Sequence, residues 1–169
     1  MAYLLSRGGD IVPFESEKVL FRKYFMGPND IERDMVKIIR KNPHPNIVEI
    51  YDVTDEYYDM ELVKTGLHRV PKKDQECMRE LKSHLQSLGI VYLDWKIDNF
   101  GRDENETLKM FDFNGGGLFE MKDSCCRQKS VWARSPDFVG YLLRRAREQG
   151  HKKTPTDCDD WIFDTQFIS

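Results

Sequence analysis

The chain has 169 residues and a formal net charge of −3, from 26 Lys and Arg against 29 Asp and Glu. That length suits one domain or two small lobes sharing a core, and an aromatic content of 12% argues against a disordered tail. The slightly acidic balance argues against nucleic-acid binding by bulk charge, and no apolar run approaches the ~18–20 residues that span a bilayer.

Tyr3 to Arg7 and Ile11 to Phe14 read as strands flanking a turn at Gly8-Gly9-Asp10, and Lys18 to Phe25 as a third strand. Gly27-Pro28-Asn29-Asp30 breaks the chain and offers Asn29 or Asp30 as a helix N-cap. The spacing of Ile31, Met35, Ile38 and Ile39 predicts an amphipathic helix over residues 30–41, ended by Asn42-Pro43-His44-Pro45. Two strands follow, Ile47 to Val53 and Tyr57 to Val63, around the acidic turn Thr54-Asp55-Glu56. Lys64 to Lys73 is linker-like. Cys77, Met78, Leu81, Leu85 and Leu88 then form one helical stripe, with Gly89 as its stop and His84 read as a packed histidine. Short extended pieces lie at Ile90 to Tyr92 and Leu108 to Phe113. Helices are expected at Phe138 to Arg147, with Arg144, Arg145 and Arg147 on a solvated face, and around Trp161 to Phe163. Five strands with one inserted helix, then a mostly helical half, make an α+β pattern with a boundary near residues 61–66. Cys77, Cys125, Cys126 and Cys158 form no C-x-x-C pair, so free thiols are expected. Met1 to Arg7 is too short for a signal peptide, which points to the cytoplasm or nucleus.

The chemistry concentrates in two places. Asp94 is followed by Lys96 and Asn99, and Asp112-Phe113-Asn114 comes thirteen residues after Asn99, behind a short apolar strand. Alone, the first is usually a solvated turn and the second, before three glycines, more often a β-turn signal; both in this order are specific. Together they resemble the catalytic loop H-R-D-L-K-x-x-N and the metal-binding D-F-G of eukaryotic-type protein kinases. Pro43-His44-Pro45-Asn46-Ile47-Val48 resembles the turn that leads kinases into their fourth strand, and Tyr57 to Val63 the fifth strand and hinge. Ser135-Pro136-Asp137 resembles the A-P-E that closes the activation segment, and Asp159-Asp160-Trp161 the start of the central large-lobe helix.

The resemblance implies a bilobal α+β fold. Residues 1–63 would be a small antiparallel five-stranded N-lobe with one helix and the hinge, and residues 64–169 a reduced, mostly helical C-lobe. It implies ATP and Mg²⁺ as cofactors and transfer of the γ-phosphoryl group to a protein hydroxyl. Asp94 would accept or orient the proton of the attacking hydroxyl, and Lys96 would neutralise charge on the transferring group. Asn99 and Asp112 would hold Mg²⁺, and Met60, Glu61 and Val63 would meet the adenine. Phe113 would pack under the small-lobe helix.

The chain departs from the family at several points. Gly8 and Gly9 are what remains of the phosphate-covering G-x-G-x-x-G loop. Val19-Leu20-Phe21-Arg22-Lys23 aligns with V-A-I-K-K and leaves Arg22 and Lys23 as rival phosphate anchors: register favours Arg22, chemistry Lys23. Successive strand residues face opposite sides, so only one enters the cleft. Its helix partner is Glu32 or Asp34. Leu93 replaces the Arg that pairs with a phosphorylated activation segment, so phosphorylation at Ser124 or Ser130 is not expected to act through that pocket. Tyr92 replaces His as an aromatic packing partner, and Asn114 replaces Gly, where Asn tolerates positive φ.

An active, miniature, non-RD Ser/Thr kinase is the leading expectation. The alternative is a pseudokinase serving as a nucleotide-binding or scaffolding module, and a small-molecule phosphotransferase is a third. Asp98, Asp103, Glu104 and Glu106 would favour a basic substrate such as a histone tail, although solvated loop charge explains them as well. The chain stops within the central helix, so apolar flanks at Trp161, Ile162, Phe163 and Phe167 suggest a homodimer or a bound protein over the truncated C-lobe, with a rearranged tail folding over its own core as the competing explanation. Such economy suggests a compact, viral genome.

Overall fold

The computed structural model describes residues 8–26, 31–115, 117–118, 131–132, 148 and 155–168. The expected strand at Tyr3 to Arg7, the N-cap at Asn29 or Asp30, the Cys125-Cys126 pair, Ser124, Ser130, the Ser135-Pro136-Asp137 segment and the helix at Phe138 to Arg147 lie outside these residues.

Four strands form an antiparallel sheet in the order β1-β2-β4-β3: β1 (Gly9–Pro13), β2 (Val19–Tyr24), β3 (Ile50–Val53) and β4 (Tyr57–Glu61). The expected glycine turn is displaced. Gly8 has φ of 78°, but Gly9 and Asp10 already belong to β1, opposite Lys23 and Arg22. A Cβ on Gly9 would sit 2.3 Å from the Arg22 carbonyl oxygen and 2.4 Å from Phe21 Cζ, so strand packing alone demands glycine here. The strand expected from Ile47 is regular only from Ile50. Ile47 instead makes a single bridge to Met110, secured by Val48 N–H to the Met110 carbonyl (3.0 Å) and Met110 N–H to the Asn46 carbonyl (2.8 Å).

Helix α1 (Ile31–Lys41) has Glu32 and Asp34 in its first turn and Arg40 and Lys41 in its last, matching the helix dipole. It buries Glu32, Met35, Val36 and Ile39 against the sheet side of the core. Asn42 closes it, donating its side-chain amide to the Ile38 carbonyl at 2.9 Å ahead of the two prolines. His84 is half-buried, its ring tilted against that of His44 at 4.9 Å between centroids and hydrogen-bonded through Nε2 to the Asn42 carbonyl at 2.9 Å.

The second half starts with α2 (Gln75–Ser87), which buries Met78, Leu81 and Leu85 and stops at Gly89, where φ is 76°. Next come β5 (Ile90–Val91) and the hairpin β6 (Phe100–Arg102) and β7 (Leu108–Met110). Strands β8 (Gly117–Leu118) and β9 (Val131–Trp132) complete a three-stranded sheet with β5. Helix α3 (Pro155–Phe167) ends the described chain.

One apolar cluster runs from Phe21, Met35 and Met60 to Leu81, Phe111 and Phe163. Trp95 is its aromatic hub, with Tyr92 at 4.8 Å, Phe163 at 5.0 Å and Phe100 at 6.3 Å between ring centroids. This corrects the expectation of exposed flanks on the last helix. Phe163 and Phe167 are buried against Trp95, and Trp161 and Ile162 are half-buried, so the chain's own core covers them. Among the described residues, no helix is long and apolar enough to cross a membrane.

Candidate active site

Strand alternation separates the two rival cations. Lys23 and Phe21 face the interior, while Arg22 faces the other side of β2. Lys23 is 4% exposed, and its Nζ donates to Glu32 Oε1 at 2.7 Å and to Asp112 Oδ1 at 2.8 Å. Burial pushes the ammonium down, but the adjoining Glu32 and Asp112 carboxylates outweigh it and hold its pKa above the usual lysine value. Arg22 instead forms a bidentate pair with Asp59 (2.7 and 2.8 Å) and lies over the Tyr57 ring. Glu32, not Asp34, is the helix carboxylate that meets the lysine; Asp34 is exposed.

The second cluster is the loop after β5. Asn99 donates Nδ2 to both the backbone carbonyl and Oδ2 of Asp94, at 2.8 and 2.9 Å. Lys96 Nζ lies 3.4 Å from the same Asp94 Oδ2. Asp94 is half-buried and Asn99 buried, so one carboxylate edge is fixed by the loop itself.

Three features tie the clusters together. Tyr92 is buried and donates its hydroxyl towards the carbonyls of Phe111 (3.1 Å) and Asp112 (2.7 Å). The Phe111 N–H donates to the Asn99 carbonyl at 2.9 Å. Gly115 lets the chain pass against Asp94, because a Cβ there would lie 2.4 Å from Asp94 Cβ. Asp112 has φ of 71° and Leu93 φ of 59°, left-handed conformations that cost non-glycine residues energy and persist where surroundings fix them. Asn114 does not share that conformation, so its tolerance of positive φ is not used. Its Oδ1 is instead a buried acceptor without a hydrogen-bond partner.

Asp159 anchors the loop from the far side. It accepts hydrogen bonds from Leu93 N–H at 2.8 Å, Trp95 Nε1 at 2.6 Å and Gln86 Nε2 at 2.9 Å. Burial pushes its carboxyl up to about 6 against the opposing effect of these donors.

Met60 lies opposite Phe21 in the sheet and is buried. Glu61 is half-buried, its Oε2 3.4 Å from Lys109 Nζ. Val63 is buried and packs on Gly101, where a Cβ would lie 2.5 Å from Val63 Cγ2. Gly8 borders open space. Phe113 is buried, with its ring 6.4 Å from that of Tyr58. Asp103 turns inward to accept from the Asn105 and Thr107 N–H groups, both at 2.9 Å, so it shapes the β6–β7 turn. Asp98, Glu104 and Glu106 are exposed.

The chain is 27% identical to calcium/calmodulin-dependent protein kinase type 1 of Caenorhabditis elegans over 166 residues, covering 87% of this chain and 45% of that protein. It is 31% identical over 128 residues to the human hormonally up-regulated neu tumor-associated kinase, 64% of this chain and 17% of that protein. A serine/threonine-protein kinase of Saccharomyces cerevisiae is 31% identical over 107 residues, 54% of this chain and 9% of that protein. No family model matches.

The chain has a kinase-like fold and weak, partial homology to Ser/Thr protein kinases. It spans less than half the length of the relatives just described.

Sequence reasoning missed the parts that work through tertiary contact. Tyr58, Tyr92, Trp95 and Asp159 place polar atoms beside the named residues, yet in sequence Tyr58 is one residue of a strand, Tyr92 a packing aromatic, Trp95 a spacer in the loop and Asp159 part of a helix start. The alternation in β4 carried a usable signal for Tyr58, since it is a phenol on the strand's buried face. The carboxylates suit Mg²⁺. Among the described residues no three Asp, Glu, His or Cys side chains form a metal cage. Mg²⁺ characteristically takes one or two protein carboxylates and draws its other oxygens from phosphates and water.

Proposed function

We propose that this chain is an ATP- and Mg²⁺-dependent Ser/Thr protein kinase with a reduced C-lobe. The observation that carries the reading is the Lys23–Glu32–Asp112 ion cluster joined through Tyr92 to the Asp94–Lys96–Asn99 loop. Asp94 is poised to take the proton of a protein hydroxyl while Asn99 fixes its carboxylate. The hydroxyl oxygen bonds to the γ-phosphorus of ATP as the bond to the bridging oxygen breaks, and ADP departs. Lys96 offsets charge on the group in transit, and Lys23 anchors the other phosphates. Asn99 and Asp112 would hold Mg²⁺, which when bound neutralises phosphate charge. Met60, Glu61 and Val63 would border the adenine, and Gly8 and Gly9 would cover the phosphates. The exposed Asp98, Glu104 and Glu106 favour a basic protein substrate.

Thermal unfolding tests nucleotide binding. At about a hundredfold excess over Kd, a ligand stabilises by about 2.7 kcal/mol. For a chain of this length that is a rise of roughly 5–10 °C in Tm. Mg²⁺-ATP is expected to give this rise with the natural chain, and Asp112→Asn to abolish its Mg²⁺-dependent part. An unchanged Tm at millimolar Mg²⁺-ATP overturns the reading.

A further inference from the structure

Resting on that reading, we infer that Tyr58 is a positioning residue for Lys23, its hydroxyl holding Glu32 and with it helix α1 in the orientation the site requires. The register of the sheet sets this up. Lys23 of β2 lies directly opposite Tyr58 of β4, and both side chains point to the buried face. Both then reach one atom: Lys23 Nζ donates to Glu32 Oε1 at 2.7 Å, and the Tyr58 hydroxyl donates to the same oxygen at 3.1 Å. Tyr58 is fully buried, its ring 5.4 Å from Phe25 and 6.4 Å from Phe113, so the phenol has little freedom to turn away.

The shared ammonium gives the hydroxyl its role. Lys23 divides its donors between two buried carboxylates, and a buried carboxylate is costly unless it is hydrogen-bonded. A neutral O–H dipole aimed at Glu32 supplies a further donor without adding a charge. It also gives α1 a second attachment to the sheet. When phosphates compete for the Lys23 ammonium, Glu32 keeps a donor and α1 keeps its place. Burial, followed by the Glu32 and Asp112 charges, raises the phenol pKa well above its ordinary value, so the hydroxyl remains a donor across the working pH range.

Tyr58→Phe removes one oxygen and keeps the ring. A hydrogen bond to a charged group is worth enough to shift an opening equilibrium by about tenfold. In the full nucleotide-free chain, hydrogen exchange of the α1 amides is therefore expected to speed up about tenfold, with α2 unchanged. KM for ATP should rise about five- to tenfold while kcat stays within about twofold, a split that general loosening of the core does not produce. In a Glu32→Gln background the same substitution should add less than about twofold. Unchanged α1 exchange and unchanged KM overturn the inference, and so does an undiminished effect in the Glu32→Gln background. Absence of ATP binding by the natural chain overturns the kinase reading instead; the exchange rates then decide Tyr58 by themselves, in the same two directions.

Discussion

Replacing Lys23 by methionine is expected to destabilise the protein by about 3–5 kcal/mol and to reduce phosphoryl transfer at least about a hundredfold. Methionine fills much of the lysine volume but leaves Glu32 and Asp112, each nearly inaccessible, facing one another without their shared cation. One carboxyl must then take up a proton or the cluster must open. The matching substitution one residue earlier has a small effect on transfer. Arg22 is partly exposed, but its partner Asp59, on the opposite face of β2, is buried. Arg22→Met leaves that carboxylate without its bidentate donor, at about 1–3 kcal/mol, and should keep transfer within a fewfold. Denaturant melts and initial rates on the two variants check this. Equal losses of transfer rate, or a larger loss at Arg22, would contradict the assignment of Lys23 as the anchor.

Asp159→Ala should cost about 3 kcal/mol, because two buried donors, Leu93 N–H and Trp95 Nε1, lose their acceptor at about 1–3 kcal/mol each. Gln86 keeps a partner in Asp160 Oδ1 at 3.0 Å. Activity should fall beyond what stability explains, since the strained Leu93 immediately precedes Asp94. The carboxyl also predicts a pH dependence. Its pKa rises from the ordinary 3.8 to about 6 in the folded state, so the folded protein holds a proton that the unfolded chain releases. Its contribution therefore favours folding below pH 3.8 and is lost as pH rises towards about 6, by roughly 3 kcal/mol in all. Asp159→Asn, which cannot ionise, should lack this component. Urea midpoints between pH 4 and 7 for the two proteins give the difference directly. Parallel curves would remove Asp159 as the source.

How much of this was legible in the sequence depended on the reach of each interaction. Asp94, Lys96 and Asn99 lie within six residues, so the spacing that revealed them is the spacing that brings their side chains together. Helix α1 and helix α2 were legible because apolar periodicity and Gly89 or Pro43 are local signals. The choice between Lys23 and Arg22 was not. It turns on which face of β2 is buried, and one of the two carboxylates that meet Lys23 on that face, Asp112, is 89 positions away. Glycine placement misled for a related reason: Gly9 is required by its neighbours on β2, a contact between strands that no turn propensity reports. The apolar face of α3 looked unpartnered because nothing in a linear reading says that Trp95 will fill it.

The most direct measurement is transfer of label from γ-labelled ATP, in the presence of Mg²⁺, to a panel of basic and acidic proteins, with Asp94→Asn beside the natural chain. Asparagine keeps the shape of the side chain and its contacts with Asn99 but cannot take a proton, and general-base contributions of this kind are worth about 10²–10⁴-fold in rate. Label is expected on serine or threonine of a protein acceptor, reduced by that factor in Asp94→Asn. No label from a natural chain that binds Mg²⁺-ATP, or label that survives the substitution undiminished, would contradict it.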